Sequence, residues 1–271
     1  MSRQLSPAEF CAEAPKVELH VHLEGAFDGP YLFECARKCV HDLPASVDLL
    51  DGRSMALQEA VRVAASEQAF LAEHIYLPPT CAKLTDFLAP FPISMAIVHA
   101  SVRAEGLGCI EEFAYRFARR QHAAQAVYTE LRYCPHLFLE EAEQQAEEAA
   151  RLASAEAVVR AVGRGLRRGE AECGVLIRQI LACLDFAPQW SADQLALLAR
   201  VGKEEGLVGI DVAAGERHFG SGPDGQPDAP TLQAVLGAKA AGFGVAVQCT
   251  RVSNLRPISP PSRADLALDL W

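Results

Sequence analysis

The segment Glu18-Leu-His20-Val-His22-Leu-Glu24-Gly25 holds two imidazoles two residues apart, flanked at the same spacing by carboxylates. Side chains on an extended strand alternate between faces, so His20 and His22 point the same way, with Glu18 and Glu24 in line. About 6–7 Å of backbone separates the two histidines, a span over which both rings can converge on one divalent metal. Zinc suits a pair of imidazoles with open positions, and it lowers the pKa of a bound water to about 7. The chemistry on offer is hydrolysis by a metal-activated water. The plainer alternative is two polar residues on the solvent side of an edge strand. Val17, Leu19, Val21 and Leu23 occupy the alternate positions and favour the metal, because a strand with one apolar and one His/Glu face suits the wall of a barrel.

Positioning such a strand requires others like it. Four more apolar runs follow, at 127–134 (VYTELRYC), 173–184 (CGVLIRQILACL), 206–213 (GLVGIDVA) and 243–249 (FGVAVQC). Helix-forming stretches lie between them at 140–169, 191–205 and 230–241, the first with acids early and arginines late, as the helix dipole favours. A strand-like run followed by a longer helical stretch, repeated, is the pattern of a parallel α/β fold. The 271 residues match the ~250 of a complete α/β barrel. Five strand-like runs consume almost all of that length, however, and three more βα units need about 30 residues each. The expected fold is a TIM-type (β/α)8 barrel with about five of its eight strands present. Residues 1–248 form the barrel portion and 249–271 a Pro-containing tail whose PxxP at 257–260 reads either as a peptide ligand or as unpacked chain.

Composition removes other classes. Net charge is −10, from 25 basic and 35 acidic residues, so neither nucleic acid nor an anionic membrane is an expected partner. No run approaches the ~18 apolar residues of a membrane span. The first sixteen residues lack the apolar core of a signal peptide, and nine scattered cysteines read as free thiols of a reducing compartment. A cytoplasmic location is expected.

PKVELHVHLEGA (15–26) resembles the opening strand of the adenosine deaminase family, zinc-dependent (β/α)8 barrels of the amidohydrolase superfamily. The resemblance continues in order through TELRYCPHLF (129–138), IRQILACL (177–184), APQWS (187–191) and VGIDVAAGE (208–216). It implies hydrolytic deamination: water replaces the 6-amino group of adenosine or 2′-deoxyadenosine, giving inosine or its deoxy form and ammonia. It makes His20 and His22 zinc ligands, with one zinc per chain, and makes a purine nucleoside the partner. It puts Glu24 near the ribose 5′-hydroxyl, where the family commonly carries Asp. It reads 83–91 (KLTDFLAPF) as a short lid helix over the purine. Leu84, Phe87, Leu88 and Phe91 share one helical face there, a stripe that core packing explains equally well. The backbone N–H of Ala214, where the family often has Gly, would meet the purine ring. Arg132 reads as a structural ion-pair partner, and His136 as a hydrogen-bonded core histidine.

The likeness fades at the fifth run. Where the family places a third histidine ligand and a proton-donating glutamate, this chain has Gln248 and Arg251, and no histidine follows His218. The family's later histidine and Asp pair have no counterpart. Zinc held by two imidazoles alone is weak or absent, since catalytic zinc normally has three protein ligands. Turnover by these residues alone is therefore not expected. The alternative reading is a truncated splice or gene-model product that acts at most as a binding or interaction protein. His22-Leu-Glu24 also fits the HxE of cytidine-type deaminases, but the PCxxC that plan requires is absent.

Overall fold

The computed structural model describes residues 6–76, 88–213 and 229–247. In chain order its strands are β1 (Lys16–His22), β2 (Val47–Asp48), β3 (Ser54–Met55), β4 (Ala126–Tyr133), β5 (Leu176–Leu184), β6 (Leu207–Ala213) and β7 (Gly244–Val247). Its helices are α1 (Pro7–Glu13), α2 (Gly29–Lys38), α3 (Leu57–Val63), α4 (Glu67–His74), α5 (Phe91–Glu105), α6 (Gly108–Ala123), α7 (Glu141–Gln144), α8 (Glu148–Cys173), α9 (Ser191–Val201) and α10 (Ala229–Ala240). The strands β1-β4-β5-β6-β7 form one sheet in that order, every pair parallel, while β2 and β3 form a separate hairpin. Sequential parallel strands joined through helices make a half-barrel of the expected α/β class. All five apolar runs become strands of this sheet. The tail at 249–271 lies outside the described residues.

Local chemistry sets the element ends. Ser6 and Glu9 form a reciprocal capping box on α1. Asp28 accepts from Tyr31 N at 3.1 Å to start α2. The helical stretch expected at 140–169 divides into the single turn α7 and the long α8, which ends where Gly174 takes φ 74°. The segment between β1 and β4 showed no clear strand–helix rhythm in the sequence. It holds α2 to α6, and these helices supply much of the main core, with Leu32, Phe70, Ile97, Ile110, Phe113 and Phe117 all buried.

The arginine-rich face of α8 is solvated, as a charge run of that kind predicts, with Arg164 and Arg168 paired to Glu111 and Glu112 of α6. Its other face approaches α6 backbone to backbone. A Cβ on Gly165 would sit 2.1 Å from the Glu111 carbonyl oxygen, and one on Gly169 would sit 2.3 Å from Ala118 Cβ. Only hydrogen fits at either position.

β1 is an edge of the sheet among the described residues. Leu23 just beyond it is buried and Val21 packs on the core, but Val17 is 58% exposed and Leu19 53%. The apolar side of the histidine strand is thus covered only toward its C-terminal end.

Candidate metal centre

His20 and His22 lie on one side of β1, their ring centroids 5.4 Å apart and their planes at 44°. A third ligand-capable group joins them. Asp211 lies near the C-terminal end of β6, and the donor atoms of His20, His22 and Asp211 all fall within 4.8 Å of one another. β4 and β5 intervene between β1 and β6 in the sheet. With neighbouring strands about 4.8 Å apart, a flat sheet would hold these side chains roughly 14 Å from each other. Barrel curvature brings them together.

Asp211 is fully buried, and neither carboxylate oxygen receives a hydrogen bond among the described residues. Its countercharge is Arg132 on β4, whose Nη1 lies 3.0 Å from Asp211 Oδ1 without the alignment of a hydrogen bond. Arg132 Nη2 donates to the Leu19 carbonyl at 2.9 Å, and its Nε is buried without a partner. The ion pair expected of Arg132 therefore forms, with a residue that the sequence had not marked. Two imidazoles and a carboxylate are a donor set that zinc accepts, and an under-bonded buried carboxylate beside two imidazoles fits a cation.

Glu24 departs from the line of the histidines because strand alternation stops at His22. Residues Leu23–Gly25 form a 3-10 turn that carries the Glu24 side chain into the interior. Its Oε1 accepts from Cys134 N at 2.7 Å, and its Oε2 is buried with no partner among the described residues. Burial pushes its pKa up to about 7, against the pull of the backbone N–H donors. Glu18 turns back on its own strand, accepting from His20 N at 3.0 Å. Glu130 accepts from the Tyr128 hydroxyl at 3.0 Å.

Leu88 and Phe91 are partly buried, and Phe91, at the start of α5, packs on the main core. Leu84, Phe87, Ala214, His218, Gln248 and Arg251 lie outside the described residues. A surface recess of about 260 Å³ is lined by Asp28, Arg116, Arg119, Arg120 and Ala123, none of them in the metal cluster.

His136 is a fully buried core histidine, as read from the sequence. Its Nε2 donates to Asp193 Oδ2 at 2.9 Å, Gln194 Nε2 meets its Nδ1 at 3.2 Å, and its ring stacks on Trp190 at 4.9 Å. Arg151 holds both Asp193 oxygens, at 2.7 and 3.3 Å. These contacts hold the Asp193 carboxyl below its ordinary pKa despite its burial.

Sequence reasoning passed over Asp211 because it stands inside an apolar run, LVGIDVA. The available signal was a lone carboxylate near the C-terminal end of a parallel strand, where barrel enzymes place functional groups.

The family profile described as "Adenosine deaminase" matches residues 15–224. Adenosine deaminase of Rattus norvegicus is 31% identical over 209 residues, covering 76% of this chain and 52% of that protein. The Bos taurus adenosine deaminase is 29% identical over 209 residues, covering 76% and 50%. The chain thus spans about half the length of the curated relatives it matches. Two solved structures share the fold, each with a TM-score of 0.58. The N6-methyl-AMP deaminase of Arabidopsis thaliana is 18% identical, over 89% of this chain and 59% of that one. An amidohydrolase from Burkhoderia ambifaria with bound Zn is 17% identical, over 90% and 55%.

Proposed function

The chain belongs to the adenosine deaminase family, and from that premise we propose that its residues serve the zinc-dependent hydrolysis of adenosine and 2′-deoxyadenosine to inosine and 2′-deoxyinosine, with release of ammonia. The observation that carries this reading is the meeting of His20, His22 and Asp211 within 4.8 Å at the inner wall of the half-barrel. His20 and His22 would hold the zinc, with Asp211 as the carboxylate beside them. The metal, when bound, supplies a water acidified to about neutral pH.

The chain's own groups do the rest. Arg132 keeps the Asp211 carboxylate aimed at the histidines. Glu24, half protonated near neutral pH, offers a hydrogen-bonding oxygen toward the nucleoside from the turn after β1. The family likeness would have Leu84, Phe87, Leu88 and Phe91 cover the purine and the Ala214 backbone N–H meet its ring; of these only Leu88 and Phe91 are among the described residues, and Phe91 packs on the main core. Among the described residues no helix is long and apolar enough to cross a membrane. The seven described cysteines are all free thiols, in keeping with a cytoplasmic setting.

The test is inosine formation from adenosine by the zinc-loaded chain, compared with His20→Ala. Inosine production abolished by that substitution supports the reading. A chain that binds zinc and adenosine but releases no inosine supports the second reading, a binding protein, which Gln248 and Arg251 favour in place of the family's ligand histidine and glutamate.

A further inference from the structure

The buried ion pair beside the metal cluster is only half made. Asp211 is fully buried and Arg132 is 7% exposed, so both charges have left water. Such a pair holds only with good geometry and additional hydrogen bonds. Here Nη1 reaches Oδ1 at 3.0 Å, yet among the described residues neither Asp211 oxygen receives a hydrogen bond and Arg132 Nε donates none. The second anchor of the guanidinium is the Leu19 carbonyl, immediately before His20. One side chain on β4 is thus tied to both sources of the donor set, the backbone of the histidine strand and the carboxylate of β6. The same carboxylate lies within 4.8 Å of the imidazole donors.

We propose that Arg132 is the resident countercharge of Asp211 and that zinc competes with it for that carboxylate. This rests on the zinc reading above. Without metal, Arg132 neutralises Asp211 and holds it facing His20 and His22, so the donor set stays assembled. When the divalent ion enters, Asp211 turns from one cation to the other, and two positive charges crowd one negative charge in a site of low polarity. Arg132 is therefore a positioning residue that holds the Asp211 carboxylate toward the histidines and lowers the affinity of the donor set for zinc. The missing hydrogen bonds on Asp211 are what a carboxylate needs if it is to change partners without first breaking a tight bidentate pair.

The test is chelator competition with zinc alone on the full chain. Four proteins are compared: wild type, Arg132→Gln, Asp211→Asn and the double variant. Arg132→Gln is expected to bind zinc more tightly by about tenfold or more, and Asp211→Asn more weakly by a similar factor, within the ~10–100-fold range typical of groups that support a metal site. In the Asp211→Asn background, removing Arg132 should change little, because the competition runs through that carboxylate. Equal or weaker zinc binding by Arg132→Gln overturns the proposal and leaves the zinc reading standing. Zinc binding by none of the four above the level of a His20→Ala/His22→Ala chain overturns both. If Arg132→Gln does not fold, nitrogen-15 NMR of the wild-type arginine side chains decides. The buried Arg132 Nε–H signal should shift on saturation with zinc, and an unmoved signal overturns the proposal.

Discussion

Two histidine sites lie on the same half-barrel, and they are built on opposite terms. His136 has both ring nitrogens bonded, a stacked indole against its face, and an aspartate whose two oxygens are both held by Arg151. His20 is exposed on β1, an edge strand among the described residues, whose pairing with β4 loses register between Glu18 and Val21. Near it, Asp211 and Arg132 keep buried polar atoms without a hydrogen bond among the described residues, as does Glu24 in the turn after β1. Gln194 Oε1 is buried without a hydrogen bond among the described residues, yet the His136 ring and both Asp193 oxygens are held, which fixes that ring in place. Unbonded polar atoms beside His20 leave capacity for a ligand, and that difference separates a core histidine from a candidate metal ligand.

The largest effect that would sharpen this contrast is on metal binding. Replacing His20 and His22 together by alanine should lower zinc affinity by more than the ~10–100-fold that loss of a supporting group costs. His136→Ala should leave zinc affinity unchanged. A zinc titration in which His136→Ala behaves like the double variant would break the distinction.

Stability should respond the other way. Asp193→Ala leaves Arg151 without its carboxylate and His136 without its acceptor, and should cost about 3–5 kcal/mol in urea unfolding. The depressed Asp193 pKa adds an acid limb. A lowered carboxyl contributes stability above its unfolded pKa and loses it as pH falls through the folded value, so the wild type should weaken on acidification below about pH 4. Asp193→Asn should flatten that limb.

Glu24 has the opposite sign. Its pKa is raised to about 7, so its contribution is complete below the unfolded value of 4.5 and is lost as pH rises through 7. In the zinc-free chain, Glu24→Gln keeps an acceptor for Cys134 N–H without the ionisation. It should be more stable than wild type by roughly 2–3 kcal/mol at pH 8, with the gap closing near pH 5. Equal unfolding midpoints at both pH values would remove Glu24 from the unsatisfied set. The smallest effect is Trp190→Phe, which shortens the stack on His136 and should cost about 0.5–1.5 kcal/mol.

The strands of the sheet and the paired imidazoles were legible because period-2 alternation and apolar runs are local signals. The run at 17–23 and the strand at Lys16–His22 differ by one residue at each end. Asp211 was not legible as a partner of His20, because their meeting depends on the curvature of four strands and on no feature of either segment. Glu24 was misaligned for a related reason: alternation predicts its direction only while the strand continues, and the chain turns at Leu23. The helices α4 and α5 escaped because their apolar residues are spread around the helix and blur the 3.6-residue period, whereas α2 and α6 carry a clear apolar face that went unread.

The two glycines of α8 have a further consequence, in time rather than in space. With hydrogen alone at Gly165 and Gly169, α6 and α8 pack tightly, Gly165 against the Glu111 carbonyl and Gly169 against Ala118 Cβ, a close contact that resists local opening. Amides inside that contact should exchange with solvent only when the whole molecule opens. Among the described residues the slowest-exchanging hydrogens should therefore mark α6 and α8, while those of β1, an edge strand among those residues, exchange through local fluctuations. The histidine strand is then free to adjust on a timescale much faster than the lifetime of the frame that carries it.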